Sequence, residues 1–384
     1  MEITAGTTLS TRRLNRALLE RQLLTRRHPI SAEAAIEHLV GMQAQAPHPP
    51  YIGLWTRLAD FAPARLADLL TERRVVRIGL MRGTVHLVTA ADCLALRPVV
   101  QPIYDANLYR NSQHGLGDSV VDVPQLVAAG RELMIERPLT AKALGLALAE
   151  RFPGEDPAAL AHALRSQAAL VQVPPRALWG HSGQSACTPA DHWLGRPLAT
   201  ETTPDAMLLR YLAAFGPATI ADMQTWSGLG RLREAVDRLR PHLVVYRDEA
   251  GRDLYDLPDA SLPPEDTPAP PRFLPEFDNA LLSHADRTRI ISDEDRKRVF
   301  TINGIIRPTF LVDGMVAGQW RLTKSGKPVS PGSPSATTTE SGPPLTLELT
   351  PFRPLTRTTR KSLTEEATRL LTFTTPHPHE VHWN

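Results

Sequence analysis

The 384-residue chain carries 43 Lys and Arg against 41 Asp and Glu, a formal net charge of +2, with 42% hydrophobic and 22% charged residues. This is the composition of an ordinary globular protein, long enough for two to four modules with their own cores. It contains nothing near the ~18 uncharged apolar residues that a membrane span requires, and the start Met1-Glu2-Ile3-Thr4-Ala5 lacks the basic and apolar parts of a secretory signal. Two distant cysteines, Cys93 and Cys187, fit a reducing compartment and cannot make a metal cluster between them. A cytoplasmic, nucleoid-associated protein is expected, with no metal and no cofactor.

Net charge is uninformative, but its distribution is not. Residues 1–30 hold six Arg against two Glu, and Arg73, Arg74, Arg77 and Arg82 cluster further on. The stretch 255–295 is acidic, whereas 296–327 is basic with only Asp313 opposing. Segregated basic stripes suit one anion-binding face on a neutral body.

Along the chain, the spacing predicts helices over 14–24 (N-cap Ser10 or Thr11), 31–42, which runs into a proline-rich stop at Pro47 to Pro50, and 63–73. Two β-like runs follow, 75–80 and 84–88, separated by Met81-Arg82-Gly83. Helices followed by a hairpin with a basic tip is a winged-helix layout. It recurs as helices over 123–136, 140–151 and 156–169 with a strand at 169–173, and again as helices over 206–215, 219–226 and 231–239 with strands at 243–246 and 253–257. Trp226 reads as packing rather than base stacking. A Pro- and acid-rich linker spans 257–271, after which short alternating strands occupy 299–302, 309–312, 315–322 and 345–349, with Asp313-Gly314 a strong two-residue turn. A Gly, Pro, Ser and Thr segment, 325–344, reads as a mobile loop. A helix over 363–371 covers the sheet, and a tail with His377, His379 and His382 reads as a disordered end.

The expected fold class is α+β: about three tandem winged-helix modules followed by a small C-terminal β-barrel or sheet. The expected units are 8–110, 120–200, 204–258 and 272–373. No Gly-x-Gly-x-x-Gly follows a strand, and no phosphate loop or His-Glu-x-x-His occurs. Gly180-His181-Ser182-Gly183-Gln184 has a misplaced final glycine for a nucleophile elbow. Tandem winged helices most often bind DNA.

Within the first unit, Gln43-Ala44-Gln45-Ala46-Pro47 followed by Tyr51-Ile52-Gly53-Leu54-Trp55 resembles the AlkZ-type DNA glycosylases, whose signature is Gln, an apolar residue, then Gln. Gln45 resembles that branch rather than the YcaQ-like one, which has Asp there. Further similar stretches are Arg82-Gly83-Thr84-Val85-His86-Leu87-Val88, Leu274-Pro275-Glu276-Phe277-Asp278-Asn279-Ala280-Leu281-Leu282, Asp286-Arg287, and Asp313-Gly314 through Gly318-Gln319-Trp320. They run in order over about residues 10–355, nearly the whole chain. The resemblance implies tandem winged helices around a basic DNA channel and a C-terminal β-barrel. It implies excision of alkylated or bulky purines, including crosslinks from DNA-damaging natural products, in repair or self-resistance. It makes Gln43 and Gln45 the catalytic pair, acting as a monomer on double-stranded DNA. Arg82, His86, Arg12, Arg13, Arg77, Trp320, Arg321 and Lys324 are the DNA-binding candidates. The competing class is a non-catalytic winged-helix DNA-binding protein or transcription regulator.

The chemistry limits the substrate. Glycosidic hydrolysis passes through an oxocarbenium-like state. An amide is no useful base, but its carbonyl orients water and places partial negative charge near the sugar. Two glutamines therefore suit purines alkylated at N7 or N3, which are cationic and already leave readily. Positions i and i+2 of a continuing helix face nearly opposite ways. Both amides address one sugar only if the chain is extended or turning by Met42.

Overall fold

Ser10 accepts from Arg13 N and opens helix α1 (Thr11–Arg21), just after a short strand β1 (Thr8–Leu9). Ser31 caps α2 (Ala32–His38) in the same way. This helix does not reach Met42. Val40 (φ 54°) and Gly41 (φ 87°) turn left-handed, and the chain leaves as strand β2 (Met42–Gln43). A Cβ on Gly41 would lie 2.5 Å from Val88 Cγ1 and 3.1 Å from the Leu87 carbonyl oxygen, so both conformation and space demand glycine. The prolines that read as a stop instead start α3 (Pro49–Arg57), because the first helical positions need no N–H. Helix α4 (Pro63–Thr71), β3 (Val75–Gly79) and β4 (Val85–Thr89) complete this part. The computed structural model describes residues 6–111, 113–117, 119–337, 344–375 and 379–384.

Helices α5 (Ala90–Val99) and α6 (Gln101–Arg110) lead to α7 (Val123–Glu136), β5 (Leu139–Thr140), α8 (Ala141–Arg151) and α9 (Pro157–Gln167). Strands β6 (Leu170–Gln172) and β7 (Ala186–Pro189) and helix α10 (Ala190–Leu194) follow. Because β3 pairs with β6, the first two hairpins are one six-stranded sheet ordered β2-β4-β3-β6-β7-β5. Then come α11 (Asp205–Phe215), α12 (Ile220–Ser227), α13 (Arg233–Leu239), β8 (Val244–Asp248) and β9 (Asp253–Asp256), with β1 added parallel to β8. Trp226 is buried, its ring 4.8 Å from Tyr211 and 5.9 Å from Phe215. One hydrophobic core joins these helices to Leu18, Val76, Val88, Leu274 and Val316, so the units share an interior.

The C-terminal part comprises β10 (Arg272–Leu274), α14 (Asp293–Val299), β11 (Thr309–Val312), β12 (Met315–Lys324), β13 (Lys327–Val329), α15 (Pro334–Thr337), β14 (Leu345–Pro351), α16 (Arg357–Thr374) and β15 (His379–Trp383). The expected barrel is an open sheet, β10-β11-β12-β14-β15 with β13 on β12, because its first and last strands do not pair. Asp313 (φ 48°) and Gly314 (φ 78°) make the expected tight turn. The expected strand at 299–302 is mostly not one. Ser292 caps α14, whose first turn is acidic and last turn basic, and the alternating apolar residues beyond it form only a Phe300–Ile306 bridge. Residues 327–329 and 334–337 of the expected loop are strand and helix, while 338–343 lie outside the described residues. The His tail is also ordered over 379–383, where it pairs parallel with β14, and His377 lies outside the described residues.

The N-terminal arginines are consumed internally rather than forming a free basic stripe. Arg16 and Arg12 bind Asp313, Arg21 binds Asp256 and Arg27 binds Glu366. Gly41→Ala is expected to lower unfolding free energy by about 1–3 kcal/mol in urea titrations, since it forces a left-handed alanine into an occupied space.

Candidate active site

The chain after Gly41 is a strand through Gln43 and bends from Gln45. Gln43 pairs with His86 in the antiparallel β2–β4 register, and Ala44 N donates to Val85 O at 2.7 Å. The chain is no longer helical by Met42, and both amide side chains reach the β3–β4 hairpin, Gln43 at Arg82 and Gln45 at Val85. Their surroundings differ. Gln43 is buried and Gln45 exposed. Gln43 Oε1 accepts from Arg82 Nη2 at 2.8 Å, and Gln45 Oε1 accepts from Val85 N at 3.3 Å. Guanidinium and backbone N–H groups only donate, so the network itself identifies these amide atoms as oxygens.

Arg82 sits on the short 3₁₀ turn Met81–Gly83 with φ 56°. It also donates to the carbonyl of Trp226. This left-handed, half-buried arginine is held between α12 and the glutamine strand, so the hairpin tip positions Gln43 rather than projecting freely. Burial, with Arg287 nearby, lowers its pKa to about 10, which leaves it charged at neutral pH. His86 is fully buried. Its Nδ1 lies 3.0 Å from Thr84 O, an acceptor, so Nδ1 carries the proton and Nε2 turns a lone pair toward Arg82 at 3.5 Å. Burial and Arg82 push its pKa down to about 3. It is therefore a neutral spacer at neutral pH, not an acid catalyst.

The opposite edge of β2 is held by the segment after β10. Asn279 donates from Nδ2 to Gly41 O at 3.0 Å and accepts from Gln43 N at 3.4 Å. Its neighbour Asp278 receives Arg57 Nη1 and Nη2 at 2.9 and 2.8 Å, with both side chains 1% exposed. Arg57 also donates to Gln22 O and Gly53 O, which ties α1, α3 and the 278 turn together. Glu276, one residue before left-handed Phe277 (φ 60°), is half-buried, and burial alone raises its pKa. The sequence alone assigns this polar group no role. The available signal was three polar side chains, Glu276, Asp278 and Asn279, within an apolar run.

Beyond Pro47, a cleft of about 410 Å³ opens between His48, the Arg176–Gly183 loop and β12, with Glu276 on its wall. A larger surface hollow of about 500 Å³ lies elsewhere, around Ser31 and Arg65, and touches none of this chemistry. Burial brings the pKa of His48 down to about 4.

The other DNA-contact candidates scatter. Arg77 is 2% exposed, donates to Ala44 O at 2.7 Å and supports the motif from beneath. Trp320 is 3% exposed and donates to Leu274 O at 2.9 Å. Neither presents a surface to DNA. Arg12 faces Asp313, Arg13 donates to Leu262 O, Arg321 pairs with Glu348, and Lys324 reaches Ser335 O at 3.4 Å. Only Arg82 and His86 join the glutamines.

A family model for DNA glycosylase AlkZ-like proteins matches residues 36–373. The chain belongs to the AlkZ-like DNA glycosylase family. The Streptomyces sahachiroi DNA glycosylase AlkZ is similar in fold, with a TM-score of 0.77 at 20% identity over 98% of this chain and 100% of that one. No curated protein matches in sequence. No described helix is long and apolar enough to cross a membrane. Gln43 of the Gln-Ala-Gln stretch lies in β2, and the supports of that stretch come from three distant parts of the chain.

Breaking one support should be costly. Arg57→Met strands the Asp278 charge in the interior and is expected to reduce stability by about 3–5 kcal/mol, measured by chemical denaturation.

Proposed function

We propose that this AlkZ-like glycosylase hydrolyses the N-glycosidic bond of cationic N7- or N3-alkylated purines in double-stranded DNA, as a monofunctional enzyme and a monomer. The observation that carries this reading is the non-helical Gln43-Ala44-Gln45 backbone, whose two amide side chains both reach the β3–β4 hairpin. Amide carbonyls orient water and favour developing positive charge at the sugar without removing a proton outright. That suits a base whose own charge makes it a good leaving group. The Arg82–Gln43 contact fixes one amide, whereas the longer, exposed Gln45 contact leaves the second free to re-aim. The 410 Å³ cleft next to the motif supports extending the substrate class to bulky adducts and crosslinks, in repair or self-resistance.

The test is incubation with duplex containing N7-methylguanine, followed by alkali to reveal abasic sites. Release by the wild type, strand breaks only after alkali, and loss of most release in the Gln43→Ala/Gln45→Ala variant are expected. Duplex affinity should largely survive, with the steep salt dependence of backbone binding. Full activity in the double variant would sink the catalytic assignment. No abasic sites together with a footprint on one promoter would favour a regulator.

A further inference from the structure

The geometry points to Glu276 as the proton acceptor for the attacking water, a role that rests on the glycosylase reading above. Gln43 and Glu276 line one narrow crevice together with Pro49, Pro50, Asp278 and Asn279. Its volume is about 10 Å³, the room of about one water molecule. The same Glu276 also lines the 410 Å³ cleft that begins at Ala46, directly after the glutamine motif. It thus stands where a water seated beside Gln43 meets a ligand-sized space.

Two further features separate it from a structural carboxylate. Asp278, two residues on, is fully engaged by Arg57 and caps the following turn through Ala280 N. Glu276 has neither a hydrogen bond nor an ion pair among the described residues, although it is half-buried. Its backbone is nevertheless fixed, between β10 and left-handed Phe277. An unpartnered carboxylate on a rigid turn retains free acceptor capacity, which neither glutamine has for a proton.

In the step, a water oxygen bonds to C1′ while the C1′–N bond breaks. The bonding pair passes to the purine and neutralises its alkylation charge. The water proton goes to a Glu276 oxygen, and an abasic sugar and neutral alkylpurine result. Before transfer, the anionic carboxylate also stabilises the oxocarbenium-like sugar.

Other groups facing this space are His48 and Arg57 from the α3 side, Arg176 and His181 from the loop before β7, Asp278 on its own turn, and Arg321 from β12. Arg57 and Asp278 satisfy one another, and Arg321 is paired with Glu348. His48 titrates in the acid range and needs its own control. The active form of Glu276 is the carboxylate, so activity is full above its folded pKa and falls as pH drops through it. Burial places that fall at higher pH than for an exposed glutamate.

The experiment compares single-turnover release of N7-methylguanine by wild type, Glu276→Gln, Glu276→Asp and His48→Gln across acid to neutral pH. Melting temperature and duplex affinity are measured for each. Glu276→Gln should be about 100-fold slower at neutral pH, with the acid fall abolished and melting temperature and affinity unchanged. Glu276→Asp should be intermediate, and His48→Gln should keep the acid fall. A wild-type rate and acid fall in Glu276→Gln, with Gln43→Ala/Gln45→Ala inactive, overturns the role of Glu276 alone. A slower Glu276→Gln with an unchanged pH profile assigns it to structure and also overturns the role. A wild type that releases no base overturns both this role and the glycosylase reading.

Discussion

The bidentate pair between Arg57 and Asp278 fastens two segments 221 residues apart in sequence. Two buried charges gain little over an apolar pair, because desolvation offsets their attraction, but a single unpaired partner is strongly unfavourable. Such a contact therefore discriminates against alternative arrangements more than it adds stability. Here it fixes where the 276–279 turn meets α3. Asn279 on that turn then holds Gly41 O and Gln43 N on the side that β4 does not cover. A strand of two residues has little stability of its own, and this one is held from both edges.

The same economy governs the charges around the glutamines. Arg82 and Arg77 both approach the motif, one at an amide oxygen and one at the Ala44 carbonyl, and both have pKa values lowered to about 10 by burial. They remain cationic, and each donates to an oxygen of the Gln43-Ala44-Gln45 stretch. His86 stays neutral in their company and accepts weakly from Arg82. A positively biased, rigid floor beneath a polar strand fits the binding of phosphate-bearing DNA above it.

Much of the fold was legible because local signals were strong. Ser10, Ser31 and Thr219 cap the helices that their positions suggested, and Asp313-Gly314 turns as its residue types require. The misreadings have local causes. The apolar face of α2 continues in sequence through Met42, and only the left-handed Val40 and Gly41, set against β4, end the helix early. The run Pro47 to Pro50 reads as a stop and is a start. The N-terminal basic cluster suggested a DNA face, yet the carboxylates that pair with Arg16, Arg21 and Arg27, namely Asp313, Asp256 and Glu366, lie more than 200 residues away.

By itself the sequence determined the helix and strand inventory of most units, the Gln-x-Gln motif and the limit that amide chemistry sets on the leaving group. Periodicity, capping and side-chain chemistry are properties of neighbouring residues and need no fold. Only the tertiary structure decided that the chain runs into a strand at Met42 and Gln43, that Arg82 faces inward to Gln43, and that Glu276 and Asn279 lie beside it. Those outcomes depend on register, burial and contacts between segments far apart in the chain, which no local pattern encodes.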